Sequence, residues 1–226
     1  MTVTRTTVYA TTSAVTLPKQ PSAPAGEACR ARPAPVVRDL RERAGHSPHG
    51  LRFGPRDLVV VTGLPGSGKS TLMRRAVTAD GVRVDSQDTR DRWDTRTAGF
   101  LPYAVYRPLV RLAHYAGLHR ALRSASGAVV HDCGTQTWVR GWLARAAGRR
   151  GGTLHLVFLD VTPDMALDGQ RERGRGVSRY AFLRHRWAAA RLLRAVERGE
   201  LPHGVGSAVL LDRDAADVLR RIDFAD

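Results

Sequence analysis

Lysine is nearly missing from this chain. Only Lys19 and Lys69 occur among 226 residues, so 34 of the 36 basic residues are arginine. Cysteine is equally scarce: Cys29 and Cys133 stand far apart and match neither a CxxC pair nor a zinc-ligand spacing. That excludes a disulfide scaffold and leaves two free thiols suited to a reducing cytoplasm. No run approaches the roughly 20 apolar residues of a membrane span. Residues 1–17 lack the continuous apolar stretch of a secretory signal, so the expected location is cytoplasmic, with no membrane partner. Acids are few as well, 21 against 36 bases, for a formal net charge of +15. Arginine suits phosphate, yet the charge alone leaves a nucleic-acid partner open. What is present is a 42% hydrophobic content, enough to build the core of one ordinary domain.

The texture changes near residue 55. Residues 1–55 read as a flexible, basic, Pro-rich tail, punctuated by Pro18, Pro21, Pro24, Pro33 and Pro35. A short helix over 36–44 is compatible with this text, and 46–54 reads as linker with two solvated histidines, His46 and His49. Residues 56–226 read as the folded domain. Apolar, largely β-branched runs at 57–62, 82–84, 128–131, 154–159 and 208–211 predict strands. Between them, 70–79, 108–123, 163–173 and 179–198 carry helical text. In the last of these, Trp187 with Leu183 and Ala190 reads as core, and Trp138 and Trp142 read as helix-packing residues. Alternating strands and helices predict an α/β fold around a parallel sheet.

One motif is specific. Gly63-Leu64-Pro65-Gly66-Ser67-Gly68-Lys69-Ser70 fits G-x-x-x-x-G-K-[ST], between a strand and a helix as the P-loop requires. Glycines let backbone amides curl around phosphate oxygens. Lys69 brings a cation to the β- and γ-phosphates, and the Ser70 hydroxyl can ligate Mg²⁺. Ser70 and Thr71 open the helix whose N-terminus adds its amides and dipole. A GTPase would need an Asn-Lys-x-Asp loop, for which no lysine remains. Motor and AAA+ ATPases usually carry a strand ending in Asp-Glu, a dipeptide this chain lacks. A compact kinase remains, in which a substrate hydroxyl replaces water.

Such a kinase needs an acid near the second strand end to orient or deprotonate that hydroxyl. Val84-Asp85-Ser86-Gln87-Asp88-Thr89-Arg90 supplies two carboxylates, with Arg90 for the substrate, although Ser86 and Asp88 also suit turn capping. Asp132 ends the third strand, where it can hold Mg²⁺ through water or simply close a turn. After the fourth strand, Thr162 and Pro163 start a helix that runs into Gln170-Arg171-Glu172-Arg173-Gly174-Arg175-Gly176. Arg171 and Arg175, one turn apart beside two glycines, read as a mobile lid that closes cations over phosphate. The alternative is a solvated basic helix end.

In this combination the chain resembles P-loop kinases grouped with polynucleotide kinase, zeta toxins and small-molecule phosphotransferases, the "AAA family ATPases" of actinobacterial type. The resemblance covers about residues 57–215 and rests on GLPGSGKST, DSQDTRDRW, VVHDCGT and GQRERGR. It implies ATP and Mg²⁺, a five-stranded sheet ordered 2-3-1-4-5, and a lid arginine that falls on Arg173. It also puts the usual base position on Gln87, which accepts no proton, so either the base is displaced to Asp85 or Asp88 or catalysis is weakened. In such kinases the insert between strands two and three often shapes the acceptor site. Here Tyr103, Tyr106, Arg107, Arg111, His114 and Tyr115 offer rings and cations, or else buried helix-face aromatics. Asp212-Arg213 falls where this fold often contacts adenine. The expected activity is transfer of the ATP γ-phosphate to a hydroxyl of a nucleic-acid end, a nucleotide or a small metabolite. ATP hydrolysis and non-catalytic, nucleotide-gated binding of nucleic acid are the alternatives.

Overall fold

Apolar runs form the central layer. The computed structural model describes residues 15–16, 36–43, 46–79, 81–86, 88, 103–124, 126–132, 137–172 and 177–225. The strands are β1 (Val15–Thr16), β2 (Val36–Asp39), β3 (Gly50–Phe53), β4 (Leu58–Gly63), β5 (Val82–Val84), β6 (Ala128–His131), β7 (Leu154–Leu159), β8 (Val205–Leu211) and β9 (Arg221–Phe224). The helices described are α1 (Lys69–Ala76), α2 (Tyr103–Arg123), α3 (Thr137–Arg149), α4 (Pro163–Arg171), α5 (Arg179–Glu197) and α6 (Arg213–Val218). Every residue of β4 and β7 is buried, as expected of central strands covered on both faces.

The main sheet is wholly parallel, with the order β2-β8-β7-β4-β6-β5. Its inner sequence β5-β6-β4-β7-β8 is the expected 2-3-1-4-5. The sheet nevertheless has six strands rather than five. The sixth is Val36–Asp39, where a short helix was compatible with the text, and it pairs in register with Ser207–Leu210 of β8. Two adjacent valines favour an extended backbone, and β2 covers the edge that β8 would otherwise expose. Ordered structure therefore reaches back past residue 55. The stretch read as linker contains β3, whose Leu51 and Phe53 are buried, and β3 joins β1 and β9 in a small second parallel sheet.

The turn after β2 is clamped. Arg41 donates to Asp39 and to Asp160, each at 2.7 Å, and pairs with Glu197 of α5 at 2.9 Å. Hydrogen bonding to Asp39, against an opposing cost of burial and with help from Asp160 and Glu197, raises the guanidinium pKa well above its ordinary value. Glu42 adopts a positive φ of 57° and its amide donates to Asp212 Oδ2 at 2.7 Å. Strand β2 is thus tied to the ends of β7 and β8.

Other elements also differ from expectation. Helix α2 begins at Tyr103, five residues ahead of Pro108, and α6 and β9 extend the fold beyond the last expected strand. In α5 the core-facing residues are Phe182, Ala189, Leu192 and Val196. Trp187 is 71% exposed and Leu183 47% exposed, so neither belongs to the core. Leu183 and Trp187 share one helix face by their spacing, but that face is not the one the sheet receives.

At the N-terminal edge of the sheet lies a buried polar chain. His155 Nε2 donates to Asp57 Oδ2 at 3.0 Å, and the Ser207 hydroxyl lies 2.7 Å from His155 Nδ1. The amides of Gly54 and Thr153 also donate to the Asp57 carboxylate, each at 2.7 Å. Burial opposes ionisation of Asp57, but the His155 contact and these amides outweigh it and hold the carboxyl below its ordinary value. A depressed carboxyl pKa stabilises the fold above its ordinary value, and that stabilisation is lost as pH falls through the lower folded value. We expect Asp57→Asn to cost about 1.5–3 kcal/mol at neutral pH, as loss of hydrogen bonds to a buried charged group does, measured by urea unfolding. The same variant should lose less stability than wild type on acidification below about pH 4.

Candidate phosphate-binding site

Strand β4 delivers the chain to the C-terminal edge of the sheet, and residues 64–68 turn it into α1. Gly63, Gly66 and Gly68 have positive φ of 145°, 91° and 95°. Gly66 is also pressed by a neighbour: a Cβ there would run into the carbonyl oxygen of Ala166 in α4. The approach is mutual, since a Cβ on Gly169 would meet the Gly66 carbonyl oxygen. Gln170 completes the contact by donating from Nε2 to the Pro65 carbonyl at 3.0 Å, while its Oε1 accepts from the Val177 amide at 3.0 Å. Backbone-to-backbone contact of this kind needs glycine on both sides.

Inside the loop, Lys69 is 4% exposed. Its ammonium donates to the carbonyls of Gly63 at 3.0 Å and Leu64 at 2.5 Å, and to Ser67 Oγ at 3.3 Å. A buried charge demands such partners. Two neutral carbonyls are weaker partners for an ammonium than a polyphosphate is, so the loop holds the cation in place for an anion. Ser67 and Ser70 are buried beside it, and Thr71 follows on α1. Arg213, at the start of α6, brings Nη1 to 3.0 Å from where a Cβ on Gly68 would sit, which puts a second cation at this loop.

The two carboxylates expected after β5 separate. Asp85 is buried, and the Val84↔Val130 register sets it beside His131. Asp85 Oδ1 lies 3.7 Å from His131 Nδ1, and the Ser86 hydroxyl lies 2.9 Å from that same nitrogen. His114 of α2 also faces this acid: burial pushes its imidazole pKa down, and the Asp85 charge opposes the shift. Asp88 pairs instead with Arg83 at 2.7 Å. Asp132 is engaged by Arg140 of α3, with Nη1 donating to Oδ2 at 3.1 Å, both side chains being buried. Arg171 is exposed and held by Asp168 at 2.7 Å.

Gln87, Arg90, Arg173 and Arg175 lie outside the described residues, as do the side chains of Tyr103, Tyr106, Arg107 and Arg111. Trp138 is 59% exposed and its ring lies 5.8 Å from that of Tyr115. Reasoning from sequence missed His131, Arg140 and Gln170. Only the strand register could have linked His131 to Asp85, and no local signal links Arg140 to Asp132 or Gln170 to Pro65.

The sequence matches the AAA domain family over residues 58–197, more than half of the chain. The chain belongs to this family. No curated protein matches it. Among solved structures, this AAA-domain chain is similar to one from the PezAT chromosomal toxin–antitoxin system of Streptococcus pneumoniae. The identity is 14% and the TM-score 0.53, over 74% of this chain and 77% of the other. A gluconokinase from Sinorhizobium meliloti is 19% identical with a TM-score of 0.39, covering 73% of this chain and 92% of the other. A shikimate kinase from Acinetobacter baumannii is 14% identical with a TM-score of 0.40, covering 73% and 88%. Family and fold thus agree with the resemblance to P-loop kinases of the zeta-toxin group.

The glycine contact between the loop and α4 is testable by methyl addition. Gly169→Ala should destabilise this AAA-domain protein by about 1–3 kcal/mol, the usual cost of overpacking. Gly148→Ala, on an exposed stretch of α3 with nothing within 4 Å of the new methyl, should instead stabilise it by about 0.5–1 kcal/mol. Thermal melts of the two variants against wild type read both signs.

Proposed function

We propose that this AAA-domain protein transfers the γ-phosphoryl group of ATP to a hydroxyl group. The observation that carries this reading is the buried Lys69 in its glycine loop at the end of β4, with the buried Asp85–His131 pair two strands away on the same sheet edge. The loop amides and the N-terminus of α1 suit the phosphates of ATP, Lys69 suits the β- and γ-phosphates, and Arg213 adds a cation at the nucleotide side. Mg²⁺, when bound, neutralises charge on the phosphate oxygens. Ser70, in the first turn of α1, would ligate it through its hydroxyl. Asp132, already neutralised in part by Arg140, suits contact through water better than direct ligation.

Asp85 takes the role of base. As the acceptor oxygen forms its bond to phosphorus and the bond to the bridging oxygen of ADP breaks, the acceptor proton passes to the Asp85 carboxylate. His131 positions that carboxylate and Ser86 orients His131. Asp88, drawn to Arg83, is the weaker candidate, and Gln87 need not act chemically. We assign Arg171, Arg173 and Arg175 to the transferring phosphate and Arg90, Tyr106 and Arg107 to the acceptor; of these, only the Arg171 side chain is among those described. For Arg171 this requires exchange of Asp168 for phosphate, an inexpensive step because an exposed ion pair contributes only about 0–1 kcal/mol. The acceptor class comprises nucleic-acid ends, nucleotides and small metabolites bearing a hydroxyl.

Incubation with γ-labelled ATP and a panel of these acceptors tests the reading. Labelled product should form with wild type and vanish with Lys69→Ala. Asp85→Asn should lower kcat by about 10²–10⁴-fold, the range of general-base catalysis, with ATP binding unchanged. Asp88→Asn should stay within a few-fold of wild type. Release of phosphate without labelled acceptor in every case would favour ATP hydrolysis instead.

A further inference from the structure

Helix α5 carries a second surface that the phosphate site does not use. Its apolar side, Phe182, Ala189, Leu192 and Val196, is spent on the core. The opposite side presents Tyr180, Leu183, Arg184, Trp187, Arg191 and Arg194, spaced three or four residues apart and therefore on one face. Tyr180 is 77% exposed and Trp187 is 71% exposed. Large aromatics left in water on a helix whose buried side is already filled call for a partner.

The charge on this face is of one sign. All five arginines of α5 are exposed, and among the described residues none of them has an ion-pair partner. The sole acid of the helix, Glu197, is turned to Arg41. The partner is therefore an anion with flat apolar surfaces. A second copy of this chain does not fit, because a two-fold contact would bring like-charged faces together. A lipid surface fits poorly too: an interfacial helix keeps its apolar face for the membrane, and here that face is buried in the protein. Duplex nucleic acid keeps its bases stacked away from side-chain rings. An unpaired strand offers both phosphates for arginine and open base faces for the rings, as stacking platforms with basic tracks require.

We propose that the outer face of α5 binds single-stranded nucleic acid, with Tyr180 and Trp187 stacking on bases and Arg184, Arg191 and Arg194 tracking the phosphates. From Tyr180 to Arg194 the stripe runs about 21 Å along the helix, room for a short strand. Neither Asn nor Gln lies on it to read base edges, so recognition is tolerant of sequence. Position adds a link to the loop. The stripe starts just after Val177, which Gln170 ties to Pro65, so its near end lies by the phosphate site. The proposal does not depend on phosphoryl transfer, and it stands whichever acceptor the chain uses.

Fluorescence anisotropy of a labelled single-stranded thymidine oligomer of about ten nucleotides, titrated with the full chain without ATP at low and moderate salt, tests it. Wild type should bind, and more weakly as salt rises. The double variant Tyr180→Ala, Trp187→Ala should bind about tenfold or more weakly, in line with the loss of base stacking. Trp187→Phe should stay within about threefold. Arg184→Gln with Arg191→Gln should weaken binding and flatten its salt dependence. Unchanged thermal melts will show that these exposed changes leave the fold intact. Three results would each overturn the proposal: no binding of the oligomer at low salt, equal affinity in the Tyr180/Trp187 double variant, or tighter binding of duplex, anionic vesicles or polyglutamate than of the oligomer.

Discussion

A buried ammonium at the end of β4 is the constraint on which the working edge of this protein depends. Lys69 is held against two backbone carbonyls and one hydroxyl of its own loop, an arrangement that only a tightly turned backbone can supply. The turn in turn needs Gly66 bare, because the carbonyl of Ala166 occupies the space a side chain would take. Helix α4, which leads into the arginine-rich segment, is thus registered on the phosphate loop by contact between backbones rather than by flexible side chains.

The two edges of the sheet divide the work. At the N-terminal edge, Asp57, His155 and Ser207 form a closed buried chain with every partner internal, which suits stability. At the C-terminal edge each buried acid sits beside a basic side chain from another element: Asp85 by His131, Asp132 by Arg140. The Arg41 clamp stands at the flank, where it fastens β2 and α5 to the end of β7. Arginine abundance therefore has several separate uses here: clamping, pairing with acids at the site, and lining the outer face of α5. The net charge by itself distinguished none of them.

Much of this edge was legible from local text. The strand, glycine loop and helix around Lys69 are contiguous, and central strands announce themselves by continuous burial-compatible runs. What was not legible depends on contacts distant in sequence. Val36–Val37 extends because the β8 edge awaits it, and the Pro-rich text before it disguised that fate. The pairing of Asp132 with Arg140 joins the end of β6 to α3, and that of Asp85 with His131 exists only through strand register. Trp187 was misassigned for a related reason. Helical spacing shows which residues share a face, but not which face the sheet receives.

Calorimetric titration of ATP into the wild-type chain and into Lys69→Met, with and without Mg²⁺, tests the central claim most directly. The account predicts one saturable site per chain, tightened by Mg²⁺, with affinity reduced at least tenfold in the variant. Absence of binding to wild type, or equal binding by Lys69→Met, would contradict it.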